Sequence, residues 1–222
     1  MKTGRVEALA AEVEGLAALA AAGARTPRVF SLAGTTLTLE HLELGATPDW
    51  PAMGRMLAAL HRHTNDRFGW KEDNWIGLSP QKNGWSTDWT EFFLEARLKP
   101  QAARAGLLED LPDVRKILKD HHPAPSLLHG DLWSGNAGFT PDGPVIYDPA
   151  VYYGDREADL AMTELFGGFP KDFYSSYRKE YPVDAGYERR KHLYNLYHLL
   201  NHLNIFGGGY LAQVKATLGL LG

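Results

Sequence analysis

The chain contains no cysteine, which excludes disulfide staples and every metal site built on thiolate ligands. It has no surplus of positive charge either: 23 Lys and Arg face 27 Asp and Glu, a formal net charge of −4. With no basic block in the sequence, neither nucleic acid nor an anionic membrane surface is an expected partner. No apolar run approaches the ~18 residues that a membrane-spanning helix needs, and no repeat or low-complexity segment is present. What remains is an ordinary globular composition, 44% hydrophobic and 23% charged over 222 residues. That is enough chain for one large domain or two small lobes. The opening "MKTGR" carries no secretory signal pattern, and with cysteine absent the expected compartment is a reducing cytoplasm.

Periodicity supplies the elements. Val6, Leu9, Val13, Leu16 and Leu19 recur at helical spacing in an Ala-rich segment ending at Gly23. "RVFSL" and "TTLTLEHL", separated by Ala33-Gly34, read as two strands and a tight turn. Asp49 and Pro51 open a helix running to about His63. Residues 64–86 read as a polar, turn-rich connector in which Trp70, Trp75 and Trp85 pack. Ser86 or Thr87 caps a helix to about Ala103, and "LPDVRKILKDHH" makes another. Short strands follow at 126–148, then helices near 156–166, 170–181 and 187–205, and a last one after "FGGGY".

The chemistry concentrates in "PSLLHGDLWSGNAGF", residues 125–139. A strand runs into His129-Gly130-Asp131; Asn136 follows after five residues, and the next apolar strand, "PVIYDP", ends at Asp148. A hairpin around Pro141-Asp142-Gly143 would return Asp148 to the neighbourhood of Asp131 and Asn136. One carboxylate to position a hydroxyl and two oxygen ligands to hold magnesium against nucleotide phosphates is what phosphoryl transfer requires. D-x-x-x-x-N followed by a strand-terminal Asp is also the order of a kinase catalytic loop and its second metal-binding acid. The histidine pairs His61/His63, His121/His122 and His198/His202 lack an accompanying acid in a ligand pattern and are read as structural.

"LLHGDLWSGNAGF" and "VIYDPAVYYGDREADLAMTELFGGF" resemble the fructosamine kinase (ketosamine 3-kinase) family, relatives of aminoglycoside phosphotransferases and choline kinases. The resemblance extends through "FGWKEDNWIGLSPQKNGWSTDWTEFFLEARLKPQ" and "LYNLYHLLNHLNIFGGGY", so it covers essentially the whole chain. It implies ATP- and Mg²⁺-dependent phosphorylation of the 3-hydroxyl of a ribulosyl- or fructosyl-amine, free or protein-bound, a step that repairs glycated amines. By position it implies that Asp131 is the catalytic acid/base group and that Asn136 and Asp148 are the magnesium ligands. Asp159 would be a buried acid supporting the catalytic loop. His129 would hydrogen-bond that loop, and Trp133 would face the substrate. The hinge "LEHLEL", with Glu40 and Leu42, would meet the adenine. Lys2 aligns with the family's phosphate-binding lysine, and Glu12 or Glu14 with that lysine's partner.

The resemblance also implies strands and a Gly-rich phosphate loop ahead of this lysine, where the chain instead opens "MKTGR". "FGGGY" follows a helix and reads as its cap, not as a phosphate loop. The expected architecture is therefore α+β: a protein-kinase-like, aminoglycoside phosphotransferase-like fold with a truncated N-terminal lobe. Residues 1–44 would supply a helix, two strands and the hinge, and residues 45–222 a mainly helical C-terminal lobe with the catalytic and metal-binding loops. A two-stranded hairpin alone leaves an open edge. A loosely held Lys2, weak nucleotide binding and pairing of two copies through that edge are the expected consequences. Two alternatives stand beside this reading: a non-catalytic remnant that binds a ligand or partner, and a phosphotransferase acting on an aminoglycoside or amino alcohol.

Overall fold

In the computed structural model, which describes residues 1–222, the chain opens on a strand, β1 (Lys2–Thr3). Helix α1 (Val6–Ala21) follows and buries Leu9, Glu12, Leu16 and Leu19, one stripe at helical spacing. Gly23, at φ 85°, supplies the left-handed residue that ends it. Strands β2 (Val29–Ala33) and β3 (Thr36–Leu39) form the expected hairpin. The sheet nevertheless has three strands in the order β1-β3-β2, because Lys2 pairs with Leu37 and Thr3 with Thr36. The expectation of two strands and a loosely held Lys2 is thus corrected: two residues of β1 suffice to cover the inner edge of β3. The outer edge, β2, has no partner strand within the chain and exposes Phe30 and Leu32.

Helix α2 (Trp50–Leu60) begins at Asp49, whose side chain accepts the Ala52 N–H at 2.8 Å. The stretch expected to be a connector holds four three-residue strands: β4 (Phe68–Trp70), β5 (Asn74–Ile76), β6 (Ser79–Gln81) and β7 (Gly84–Ser86). Helix α3 (Trp89–Phe92) is capped by Asp88 rather than by Ser86 or Thr87. It continues through a π turn, Phe93–Leu98, into α4 (Lys99–Ala105). Pro100 lacks the N–H that would bond back to Ala96, which accounts for the loosened turn ahead of it. Within that turn Arg97 is fully buried and has no carboxylate partner. Its guanidinium lies 3.9 Å from the Tyr152 ring centre and 4.7 Å from that of Phe92.

After α5 (Val114–Leu118) come β8 (Ser126–Leu128), the hairpin of β9 (Ala137–Thr140) and β10 (Gly143–Ile146), and β11 (Tyr152–Gly154). Strands β8 and β11 join β4 and β7 in a four-stranded sheet ordered β7-β4-β11-β8, while β5 and β6 pair only with each other. Four helices complete the chain: α6 (Glu157–Leu165), α7 (Lys171–Glu180), α8 (Tyr187–Phe206) and α9 (Leu211–Leu221). Two apolar clusters hold them. One gathers Trp89, Phe93 and Tyr194 around α8; the other gathers Met53, Leu57, Leu160 and Phe173 between α2, α6 and α7. No helix is long and apolar enough to cross a membrane.

Candidate active site

The loop after β8 is shaped by one buried carboxylate. Asp159, on the first turn of α6, accepts the backbone N–H of His129 at 2.7 Å and that of Gly130 at 2.9 Å. His61 closes on the same carboxylate at 3.2 Å. Burial alone would raise the Asp159 carboxyl, but these hydrogen bonds and the neighbouring histidines hold it below the usual range, so it stays ionised. Gly130 has φ 83°, and a Cβ there would fall 2.0 Å from the carbonyl oxygen of Ala150. Only glycine fits this crossing of the two loops.

His129 is wholly buried, and burial pushes its pKa below that of a free imidazole. Its Nε2 lies 3.0 Å from the Tyr147 carbonyl and its Nδ1 3.3 Å from the Asp131 N–H. Both contacts are satisfied by a neutral ring protonated on Nε2. The ring ties the loop that carries Asp131 to the segment that leads into Asp148.

Asp131 then faces the cleft. The Asn136 side-chain amide donates to the Asp131 carbonyl at 2.9 Å and to its carboxylate at 3.3 Å, which turns Asn136 Oδ1 away as an available acceptor. Burial, with the nearby charges of Asp159 and Asp148, raises the Asp131 carboxyl to about 7. Asp148 reaches the same cleft across the hairpin, its backbone at φ 56°, the single positive φ outside glycine. Lys2 joins it: Nζ lies 3.0 Å from Asp148 Oδ1 and 2.7 Å from Glu12 Oε2. Burial works against the ammonium, but the two carboxylates more than offset it and raise the Lys2 pKa. Of the two acids expected as its partner, Glu12 is the one; Glu14 bonds the Trp70 indole and Lys71.

Lys2, Glu12, Asp131, Trp133, Asn136 and Asp148 border a single cleft of about 580 Å³. A second recess of about 320 Å³ shares Lys2 and Asp148 and is bordered by residues 39–42. Glu40 spends its side chain elsewhere, on Arg25 at 2.7 Å and 3.0 Å and on the Arg28 N–H at 3.0 Å. Arg25 and Arg28 hold its carboxyl down to about 2. The backbone of Glu40, His41 and Leu42 is thus what the hinge offers to a ligand. Trp133 lies over Gly135 and meets Phe166 edge-on at 6.4 Å.

Sequence reasoning missed part of the lining. Asn74, Trp75, His202 and Phe206 also border the main cleft. Trp75, read as packing, carries the Arg5 guanidinium 5.3 Å above its ring, and His202, one of an i, i+4 histidine pair, packs against Phe166 with ring centres 4.5 Å apart at a tilt of 48°. His121 does meet acids, 2.6 Å from Asp155 and 3.9 Å from Glu157. Those carboxylates are already engaged by Tyr194 and Arg190.

The donor set suits a hard divalent cation. Asp148 Oδ2 and Asn136 Oδ1 are oxygen donors on one cleft, a set of the kind that magnesium takes when phosphates supply the rest.

The chain has relatives among known proteins. The chain is 51% identical over 225 residues to a probable ketoamine kinase of Synechocystis sp., covering 94% of this chain and 76% of that protein. It is 42% identical over 200 residues to a chloroplastic protein-ribulosamine 3-kinase of Oryza sativa subsp. indica, covering 83% of this chain and 58% of that one. A crystal structure of a candidate fructosamine-3-kinase from Haemophilus somnus superposes with a TM-score of 0.89 at 31% identity, over 97% of this chain and 80% of that one. The gentamicin complex of an aminoglycoside phosphotransferase, at 15% identity and a TM-score of 0.57, shares the fold. With the fructosamine kinase profile matching residues 2–221, the chain belongs to the fructosamine kinase family, a family of phosphotransferases.

Proposed function

We propose that this chain transfers the γ-phosphoryl group of ATP to the 3-hydroxyl of a ketosamine, a ribulosyl- or fructosyl-amine that is free or carried on a protein. The observation that carries the reading is the convergence of Asp131, Asn136, Asp148 and Lys2 on one cleft. The acceptor hydroxyl would lie against Asp131, which orients it and takes up its proton as the new P–O bond forms and the bond to ADP breaks. A carboxyl raised to about 7 is suited to receiving that proton near neutral pH. Lys2, kept in place by Glu12 and Asp148, would lie along the nucleotide phosphates, and the backbone of residues 40–42 would meet the adenine edge in the adjoining recess.

Asn136 and Asp148 would hold Mg²⁺, which when bound draws negative charge from the phosphates. Trp133 offers an apolar face to the sugar or to its amine substituent. The names of the relatives, ketoamine kinase and protein-ribulosamine 3-kinase, support this acceptor class over an aminoglycoside or a simple amino alcohol.

The test is turnover. Purified protein, ATP and Mg²⁺ should convert a ribulosylated or fructosylated amine to its 3-phosphate, read by phosphorus NMR. Asp131→Asn should keep its fold by circular dichroism and lose about 10²–10⁴ in rate. Absence of transfer by the wild type, or an Asp131→Asn rate within a few-fold of it, would refute the reading.

A further inference from the structure

Asp148 adopts an uncommon backbone. It lies at φ 56° and precedes Pro149, whereas a residue before proline prefers the extended region. Such a conformation persists only where its surroundings over-determine it. Upstream, Tyr147 provides the ties: its N–H donates to the Asn136 carbonyl at 3.0 Å, and its carbonyl accepts from His129 at 3.0 Å. Downstream, the ties come from the β5–β6 hairpin, which pairs with no other strand.

Two consecutive carbonyls past Pro149 are caught by that hairpin. Gln81 Nε2 donates to Ala150 O at 3.0 Å, and Asn74 Nδ2 donates to Val151 O at 2.8 Å. Asn74 and Gln81 are direct cross-strand partners, and Gln81 Nε2 also donates to Asn74 Oδ1 at 2.8 Å. Both N–H groups of Gln81 are thus in use, while its Oε1 accepts the Tyr197 hydroxyl at 2.7 Å. On its other side the same residue meets the catalytic loop: Ala150 N–H donates to His129 O at 2.8 Å. Gln81 is 1% exposed and does not border the cleft, so it touches no substrate.

We infer that Gln81, together with Asn74, is a positioning residue for phosphoryl transfer, pressing the Ala150–Val151 peptides onto the catalytic loop and so holding Asp148 in its left-handed conformation facing Asn136. Without the brace, the segment is free to relax toward the extended region, carrying the Asp148 carboxylate away from Asn136. The inference rests on the reading of Asp148 as a magnesium ligand.

Gln81→Glu tests it. The substitution keeps the size and the acceptor for Tyr197, and it replaces both donors with an oxygen facing a carbonyl. Hydrogen exchange in the unliganded protein needs no turnover. The amide of Ala150 should exchange about tenfold faster, the effect of losing one buried hydrogen bond, while peptides from α2 and α7 keep wild-type rates. Under turnover, the Mg²⁺ concentration for half-maximal rate should rise several-fold while the KM for the ketosamine stays unchanged. A folded Gln81→Glu protein with wild-type exchange at Ala150 overturns the inference. So does one with a lower Tm and an unmoved Mg²⁺ requirement, which is the mark of a purely structural amide. Should Gln81→Glu not fold, Tyr197→Phe frees only the Gln81 carbonyl and should give the same pattern at smaller amplitude; no change at Ala150 there is equally fatal. Lack of transfer by the wild type would sink the proposed function, leaving the exchange result to decide on the brace.

Discussion

Acid should destabilise this protein through a histidine that takes no part in the chemistry. His198 lies in α8, 3% exposed, with its Nδ1 unpartnered. Burial first, then the neighbouring His202 and Arg97, push its pKa down to about 3 against the attraction of Asp159. In the unfolded chain the same ring titrates near about 6.5. Below that value the unfolded state binds a proton that the folded state refuses. The stability is therefore complete at pH values above the unfolded pKa, and it falls as pH drops toward the folded one. Between about pH 7.5 and about pH 5 a single such ring costs roughly 2 kcal/mol. Urea unfolding of wild type and His198→Phe at both pH values measures it. The variant should lose about 2 kcal/mol less on acidification, whatever its stability at pH 7.5. Buried His129 and half-buried His202 are present in both proteins, so their share largely cancels. Equal losses in the two proteins would show that the folded state accommodates the charge, and the reasoning from burial would be refuted.

Two further outcomes follow from the loops at Gly130 and Asp148. Asp148→Asn keeps a residue that tolerates positive φ and removes the charge; it should abolish the Mg²⁺-dependent part of the thermal shift given by ATP, and an undiminished shift would remove Asp148 from the metal site. Gly130→Ala forces a Cβ to within 2.0 Å of Ala150 O at φ 83°; calorimetry should show Tm lowered by roughly 4–8 °C, and a wild-type Tm would mean that the two loops separate freely.

How much of this was legible in the sequence depends on how local each signal is. The helices were, because an apolar stripe repeats over many turns in α1, α2 and α8. The core of the site was, because Asp131, Asn136 and Asp148 sit within one loop and one hairpin whose spacing constrains them. Strand β1 was not: two residues carry no periodicity, and Lys2 is held by Leu37 and Glu12, contacts that no local pattern announces. The four strands between Phe68 and Ser86 were invisible for a related reason. Each is three residues long, with Gly69, Gly77, Pro80 and Gly84 among or between them, and two of them find partners more than fifty residues away or across a further turn. Asn74 and Gln81 carry no signal of their own within that connector, since what they do depends on carbonyls that the chain reaches about seventy residues later.

The placement of Asp159 ties the loop that carries Asp131 to the packing of a distant helix. The carboxylate that shapes the catalytic loop belongs to a helix 30 residues downstream of His129 and is itself held by a histidine 98 residues upstream. Contacts of that span carry a loop-closure cost that must be met before they stabilise the chain. Until α6 docks on α2, the N–H groups of His129 and Gly130 have no acceptor and Asp131 has no fixed direction. A chain in which α6 has not docked therefore carries every residue of the loop but leaves Asp131 without a fixed orientation. On the proposed function, turnover would therefore report on a docked α6 and not on local structure alone.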